Sequence, residues 1–365
     1  MKKIDWESTE SEVLINPRMP SKQQQFAKML TTHFSTLKGH LWLATSGSTQ
    51  LKWVALSKNA VLASAKAVNT HLDISSKDIW MNPLPLFHVG GLGILARAYL
   101  SQSQVISAEE KWNARTFHGL VQDSGASLTS LVPTQVHDLM MNGLESPKSL
   151  RGVIVGGGRL SEELYQQALA LGWPLLPSYG MTECASQVAT ASLNSQALKV
   201  LSHLNVRVNE ENRICVKGGA LLTGYAISTQ QGPAFIDPKV NGWFLTEDVG
   251  QITESGELEV SGRLRDFIKI GGESVHLGRL ESILDNVKRT VGITIDCALM
   301  AVPDSRLGYV IHFVSVGSSP DVQKLLDGYH AQVLPFEQVR KVHAVKEIPR
   351  SLLGKLLLSA LELSS

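Results

Sequence analysis

Between residues 114 and 181, short apolar runs alternate with helix-like segments, and this alternation constrains the fold more than any other feature. The runs are Ser127–Val132, Leu150–Val155 and Pro174–Pro177. They are short, bounded by Gly, Pro or Ser, and far enough apart to hold helices between them. Apolar spacing predicts helices around Arg115–Gln122 and Thr134–Asn142, and Ser161 opens a third with Glu163 and Leu164 behind it. Strand and helix in regular succession predict an α/β fold with a doubly wound, mostly parallel sheet, whose ligands bind in loops at the strand ends.

On either side the texture differs. Upstream, Ser21–His33 reads as a helix carrying Phe26, Met29 and Leu30, with Ser21 as its cap. A buried strand Leu41–Ala44 and an alanine-rich helix Lys58–His71 follow, the helix facing inward with Val61, Leu62, Ala65 and Val68. From about residue 205, short alternating strands separated by Gly and Asn turns read as a small β-barrel-like subdomain over about 205–264. They are Arg213–Lys217, Gly242–Thr246, Gly250–Ile252 and Glu257–Val260. Beyond it, Leu277–Val287 (helix), Cys297–Val302 and Val310–Val316 (strands) and Val322–Gln332 (helix) form an α+β unit large enough to fold alone. The expected division is an N-terminal domain over 1–264 and a small C-terminal domain over 265–365.

Net charge is +1 with no run of like charges, which argues against a nucleic-acid partner. The N-terminus lacks the apolar core of a signal peptide, and no apolar stretch approaches the ~20 residues of a membrane span. Cys184, Cys215 and Cys297 are isolated and never form CxxC, so neither a disulfide framework nor a zinc site is expected. A cytoplasmic protein follows, and nothing in the chain points to a particular oligomeric state.

Chemistry concentrates in a few stretches. Thr45-Ser46-Gly47-Ser48-Thr49, with Lys52 after it, has the hydroxyls, small residue and cation of a phosphate cradle, though a Ser/Thr-rich surface turn has the same composition. Gly156-Gly157-Gly158 lies between a strand and a capped helix, as an anion- or ring-binding corner does, or simply a tight turn. Gly91, Gly93 and Ala96 fit a G-x-G-x-x-A dinucleotide pattern, but Pro83 and Pro85 before them do not suit a central parallel strand. His88, followed by glycines, is a core histidine or one aimed into a pocket.

Taken in order, these stretches resemble the adenylate-forming superfamily of acyl- and aryl-CoA synthetases, luciferases and nonribosomal adenylation domains. Thr45–Thr49 is similar to its phosphate loop and Gly156–Gly158 to its adenine- and acyl-facing glycine turn. Ser178 precedes Tyr179-Gly180-Met181-Thr182-Glu183, which matches its most diagnostic pentapeptide. Gly242-Trp243-Phe244-Leu245-Thr246-Glu247-Asp248 resembles its G-W-x-x-T-G-D. Gly262-Arg263, Ile268-Lys269-Ile270-Gly271-Gly272-Glu273 and Pro349-Arg350-Ser351-Leu352-Leu353-Gly354-Lys355 complete the set. Within the superfamily, Leu84–Gly91 and Ser130–Gln135 resemble the branch that joins o-succinylbenzoate to CoA in menaquinone biosynthesis. The chain departs from the family at Gln50-Leu51-Lys52-Trp53, where the phosphate loop usually continues G-x-P-K-G.

The resemblance implies an acid–thiol ligase that uses ATP, Mg²⁺ and coenzyme A on a small-molecule carboxylic acid, through an acyl-adenylate. It further implies roles for residues. The Thr45–Thr49 loop and Lys52 would hold the β- and γ-phosphates, Thr182 the α-phosphate, and Glu183 the Mg²⁺. Asp248 and Arg263 would hold the ribose, and His88 would wall the acyl pocket. Gly271, Gly272 and Glu273 would line the thiol channel, Lys269 would be a further cofactor-binding residue, and Lys355 would bring a cation onto the forming acyl phosphate. The C-terminal domain would rotate about a hinge near Arg265. The alternatives are delivery of the acyl group to a carrier protein, or a catalytically weak nucleotide-binding relative.

Overall fold

The computed structural model describes residues 4–45, 51–108, 111–264, 267–271, 273–318 and 320–349. The chain divides into two compact units, Met1–Thr246 with Gly250–Val260, and Glu247–Val249 with Ser261–Ser365.

The first unit opens with β1 (Glu12–Leu14), α1 (Ser21–His33), β2 (His40–Ala44), β3 (Lys52–Ser57) and α2 (Lys58–His71). Ser21, expected to cap α1, is instead its first helical residue, after Pro20. Ser57 caps α2, accepting the Ala60 N–H at 3.0 Å. The alternating segment then runs β4 (Ile79–Asn82), α3 (Val89–Ser101), β5 (Gln104–Ser107), α4 (Ala114–Ser124), β6 (Leu128–Leu131), α5 (Pro133–Met141), β7 (Gly152–Val155), α6 (Glu162–Ala170) and β8 (Leu175–Met181). β4 stops at Asn82, directly before Pro83, because proline has no N–H to give the ladder. The side chain of Ser161 accepts the Leu164 N–H at 3.2 Å and starts α6 as expected.

Strands β5-β4-β6-β7-β8 pair in parallel in that order. Numbered along the chain this is the 2-1-3-4-5 order of a doubly wound sheet, with its switch point between β4 and β6. Helices α4, α5 and α6 cover one face through Phe117, Val121, Val136, Leu139, Tyr165 and Ala168. α2 and α3 pack on the other through Ala67, Val68, Ile94 and Ala98.

The stretch read as a small β-subdomain is shared between two sheets. β9 (Ser186–Thr190), β10 (Leu198–Val200), β11 (Leu204–Val208) and β12 (Arg213–Gly218) continue the parallel sheet beyond β8. β13 (Gly224–Thr229) and β14 (Gly232–Ile236) instead join β3, in the order β1-β2-β3-β13-β14. β15 (Phe244–Ile252) and β16 (Glu257–Arg263) return to the long sheet, making eleven strands. Gly242–Thr246 and Gly250–Ile252, read as two strands, thus contribute to one.

The second unit contains β17 (Phe267–Ile270), β18 (Glu273–His276), α7 (Leu277–Val291), β19 (Cys297–Asp304), β20 (Gly308–Val316), α8 (Asp321–His330) and β21 (Val339–Val345). Its sheet runs β18-β17-β20-β19, with β21 parallel to β20. Both helices pack Leu280, Leu284, Val287, Leu325, Leu326 and Tyr329 onto Leu299, Ile311 and Phe313.

One carboxylate ties the N-terminal ends of β4, β6 and β7 together. Asp78 accepts the Ser75 N–H at 2.9 Å, the Ser127 hydroxyl at 2.8 Å, and Arg151 Nε and Nη2 at 2.7 and 2.8 Å. Burial opposes ionisation of Asp78, yet the Arg151 guanidinium, the Ser75 amide and the Ser127 hydroxyl together bring its pKa down to about 2. Because the folded pKa lies below the unfolded one, this contribution is complete above about pH 4 and is lost as pH falls toward about 2. With Arg151 partly exposed, Asp78→Asn should cost about 1–2 kcal/mol at neutral pH and flatten that acid limb. Denaturant melts of both proteins across this pH range would show it.

Candidate active site

At the C-terminal end of β8 the backbone makes an unusual approach. A Cβ on Gly180 would sit 1.9 Å from the carbonyl oxygen of Ser186, so only glycine allows β8 and β9 to pair there. The pairing shifts register between Tyr179 and Gly180, and the chain turns back through Ala185 and Ser186, whose φ values are 52° and 115°. Two consecutive non-glycine residues at positive φ are strained. Tyr179, Gly180 and Met181 are therefore strand residues rather than loop, because β8 runs past the parallel sheet to meet β9.

The 3-10 turn Thr182–Cys184 follows β8. Its Glu183 accepts the Tyr225 hydroxyl on Oε1 at 2.9 Å, and its carbonyl accepts the Leu222 N–H at 2.8 Å. The ammonium of Lys52 lies 5.0 Å from the centre of the Tyr225 ring. Strand pairing explains the meeting. Ile227 of β13 faces Lys52 of β3, which makes Tyr225 a diagonal neighbour of Lys52. Thr45 closes the other side, its N–H donating to the Lys52 carbonyl at 2.9 Å. The structure thus gathers Thr45, Lys52, Tyr225 and Glu183. Tyr225 was not among the sequence candidates.

The glycine turn after β7 packs on the same strand end. A Cβ on Gly156 would come within 2.9 Å of Ser178 Oγ, which donates to the Val155 carbonyl at 3.2 Å. Gly157 has φ +79°, and Gly158 lies against the Pro133 ring. Across the switch point, His88 precedes α3, its ring beside Phe87, and burial lowers its pKa, keeping it neutral at pH 7. Gly91, Gly93 and Ala96 lie inside α3 and form no dinucleotide turn. A Cβ on Gly91 would press within 2.5 Å of the Leu84 and Pro85 carbonyls, so this glycine serves close packing.

A second residue missed in the sequence is Arg97 of α3. It is 2% exposed, and among the described residues no carboxylate stands within ion-pair distance of it. Its Nη2 donates to Gln187 Oε1 at 2.5 Å and to Ser186 Oγ at 3.4 Å, and its Nη1 to Ser130 Oγ at 3.4 Å. The guanidinium lies 5.5 Å from the Trp80 ring centre, and Nε has no hydrogen-bond partner among the described residues. Burial pulls its pKa down to about 9, which still leaves it charged at neutral pH. An arginine amid Leu92, Ile94, Leu95, Ala96 and Ala98 was the available signal, since an apolar helix carries a buried charge only at a cost.

In the second unit, Asp248 and Arg263 form an ion pair at 3.4 Å. Asp248 lies within β15. Lys269 and Glu273 are exposed on the β17–β18 hairpin, and Gly271 takes φ +60° between them. Ser46, Gly47, Ser48, Thr49, Gly272, Arg265 and Lys355 lie outside the described residues. Among the described residues no three His, Cys, Asp or Glu side chains gather to hold a metal. One carboxylate, Glu183, suits a Mg²⁺ that arrives on nucleotide phosphates.

Residues 41–226, more than half of the chain, match the AMP-binding enzyme family. Among curated relatives, the 2-succinylbenzoate–CoA ligase of Bacillus cereus is 27% identical over 95% of this chain and 73% of its own length. That of Staphylococcus aureus is 28% identical over 95% and 70%. Among solved structures, o-succinylbenzoate CoA synthetase from Bacillus subtilis with the acyl-adenylate OSB-AMP superposes with a TM-score of 0.78. It is 24% identical and covers 89% of this chain and 69% of that one, so it supports the fold. The Escherichia coli enzyme gives a TM-score of 0.64 at 25% identity, over 84% and 65%. The parallel sheet, the glycine-forced end of β8 and the family match agree: this chain is a member of the AMP-binding enzyme family.

Proposed function

We propose that the chain is an ATP-dependent acid–CoA ligase that works through an acyl-adenylate and takes o-succinylbenzoate. The observation that carries the choice of acid is Arg97, a buried cation with no acidic partner among the described residues. o-Succinylbenzoate has two carboxylates, one to be activated and one that must be desolvated and paired. A guanidinium held by neutral groups suits the second. The names of the relatives support the same acid.

In the first half-reaction a carboxylate oxygen attacks the α-phosphorus of ATP, and the bond to pyrophosphate breaks. In the second the CoA thiol loses its proton and attacks the acyl carbon, releasing AMP. Catalysis of the first step is chiefly positioning and charge stabilisation. Lys52 and the Thr45–Thr49 loop would meet the β- and γ-phosphates, Thr182 the α-phosphate, and Glu183, oriented by Tyr225, the Mg²⁺. Gly156–Gly158 and Ser178–Gly180 would flank the adenosine and acyl groups, and His88 would wall the acid as a neutral ring. Asp248 with Arg263 would hold the ribose. Lys355 would contact the forming acyl phosphate, Gly271–Glu273 would line the thiol path, and Lys269 would be a further cofactor contact. A hinge near Arg265 would let the C-terminal domain serve both half-reactions. A cytoplasmic setting belongs to this proposal, supported by three buried cysteines that form no disulfide.

Carboxylate-dependent exchange of labelled pyrophosphate into ATP tests the reading. Exchange should be strongest with o-succinylbenzoate among aromatic and aliphatic acids, and Lys355→Ala should lower it by about 100-fold or more. Tyr225→Phe removes one hydrogen bond to Glu183. It should raise the KM for Mg-ATP by about 3- to 10-fold while leaving the acid KM unchanged. No exchange with any acid would overturn the ligase reading.

A further inference from the structure

Arg97 is gripped by hydroxyls, an amide and an indole face, and one of these grips is built with more care than the others. Gln187 is 3% exposed and stands opposite Gly180 in the β8–β9 pairing. Its Oε1 accepts from Arg97 Nη2 at 2.5 Å, while its Nε2 donates to Thr190 Oγ1 at 2.5 Å. The guanidinium itself fixes which end of the amide faces it, because a flipped amide would point its NH₂ at a cation, and Thr190 Oγ1 accepts from the NH₂ on the far side. Ser186, beside it, reaches Arg97 only because the chain turns through two strained residues at 185 and 186. Beneath, the Trp80 ring supports the guanidinium without cancelling its charge.

We propose that Gln187 is a specificity-determining positioning residue. It aims the Arg97 guanidinium through a neutral amide, so that the positive charge is kept for the second carboxylate of a dicarboxylic substrate. This rests on the ligase reading above and deepens it. A glutamate at 187 would hold Arg97 at least as firmly but would neutralise it, and the substrate would then compete with a built-in anion. An apolar residue would keep the charge and lose the aim. Glutamine both accepts a hydrogen bond and stays neutral.

The test compares the full-length wild type, Gln187→Glu and Gln187→Met in pyrophosphate exchange. The acids are o-succinylbenzoate and its two monoacid analogues, 4-oxo-4-phenylbutanoate (chain carboxylate only) and 2-butanoylbenzoate (ring carboxylate only). Gln187→Glu should raise the diacid KM by about 30- to 100-fold, with the KM values for Mg-ATP and for whichever monoacid exchanges moving less than about 3-fold. Gln187→Met should raise the diacid KM by about 3- to 10-fold in the same selective way, and it carries the test if the glutamate variant fails to fold. Where neither monoacid exchanges, the diacid KM is read against the Mg-ATP KM. A merely structural role would weaken all substrates together and leave those ratios unchanged. That outcome, with an active wild type, would overturn the positioning role alone. A wild type that exchanges with none of the three acids would overturn the ligase reading and this inference with it.

Discussion

The close approach of two backbones at Gly180 is the constraint on which the site depends. By letting the Ser186 carbonyl occupy the space of a missing Cβ, it converts the end of a parallel strand into one arm of an antiparallel pair. The consequences run in both directions along the chain. On one side the turn at Thr182–Cys184 carries Glu183 to the Tyr225 hydroxyl. On the other, Ser186 and Gln187 reach Arg97. Residues at unfavourable positive φ cost about 1–3 kcal/mol each, and such a cost persists only where the surroundings enforce it. Here the enforcing surroundings are Val188 and Ala189, fully buried in the central core.

Charge is handled differently at the two ends of the parallel sheet. At the N-terminal ends of its strands, Asp78 and Arg151 are each other's partner, and the surrounding hydroxyl and amide donors complete the carboxylate's bonding. That arrangement serves stability and asks for nothing from outside. Near the C-terminal ends, beside Ser130 of β6 and the switch point, Arg97 has acceptors but no counter-ion among the described residues. A charge left without its opposite in a buried setting is a cost to folding, and in this fold ligands bind at that end of the strands. The contrast between the two arginines, Arg151 and Arg97, is why one reads as structural and the other as a substrate contact.

Much of this was legible in the sequence, for physical reasons that differ by residue. The α2 boundaries, the Ser161 cap and the strand–helix alternation are local features, fixed by side-chain spacing and hydrogen bonds a few residues apart. Pro83 and Pro85 spoke against a central parallel strand before α3, yet β4 is one, because it ends at Asn82 just ahead of the first proline. What escaped was non-local. Tyr225 matters because β13 pairs with β3, more than 160 residues earlier in the chain, and no spacing rule reveals that. The division of residues 205–264 between two sheets follows from the same long-range pairing. Arg97 was visible as a charge in an apolar helix, but its lack of an acidic partner among the described residues is a property of the packed state alone.

The account stands most directly on Arg97, so the deciding measurement is the rate of CoA thioester formation by Arg97→Gln with o-succinylbenzoate and with its monoacid analogues. If the guanidinium pairs the second carboxylate, kcat/KM for the diacid should fall by about 100-fold or more while the KM for Mg-ATP holds. Selectivity for the diacid over an accepted monoacid should fall with it. An equal loss for every acid, or an unchanged rate with the diacid, would contradict the account and return Arg97 to a purely structural role.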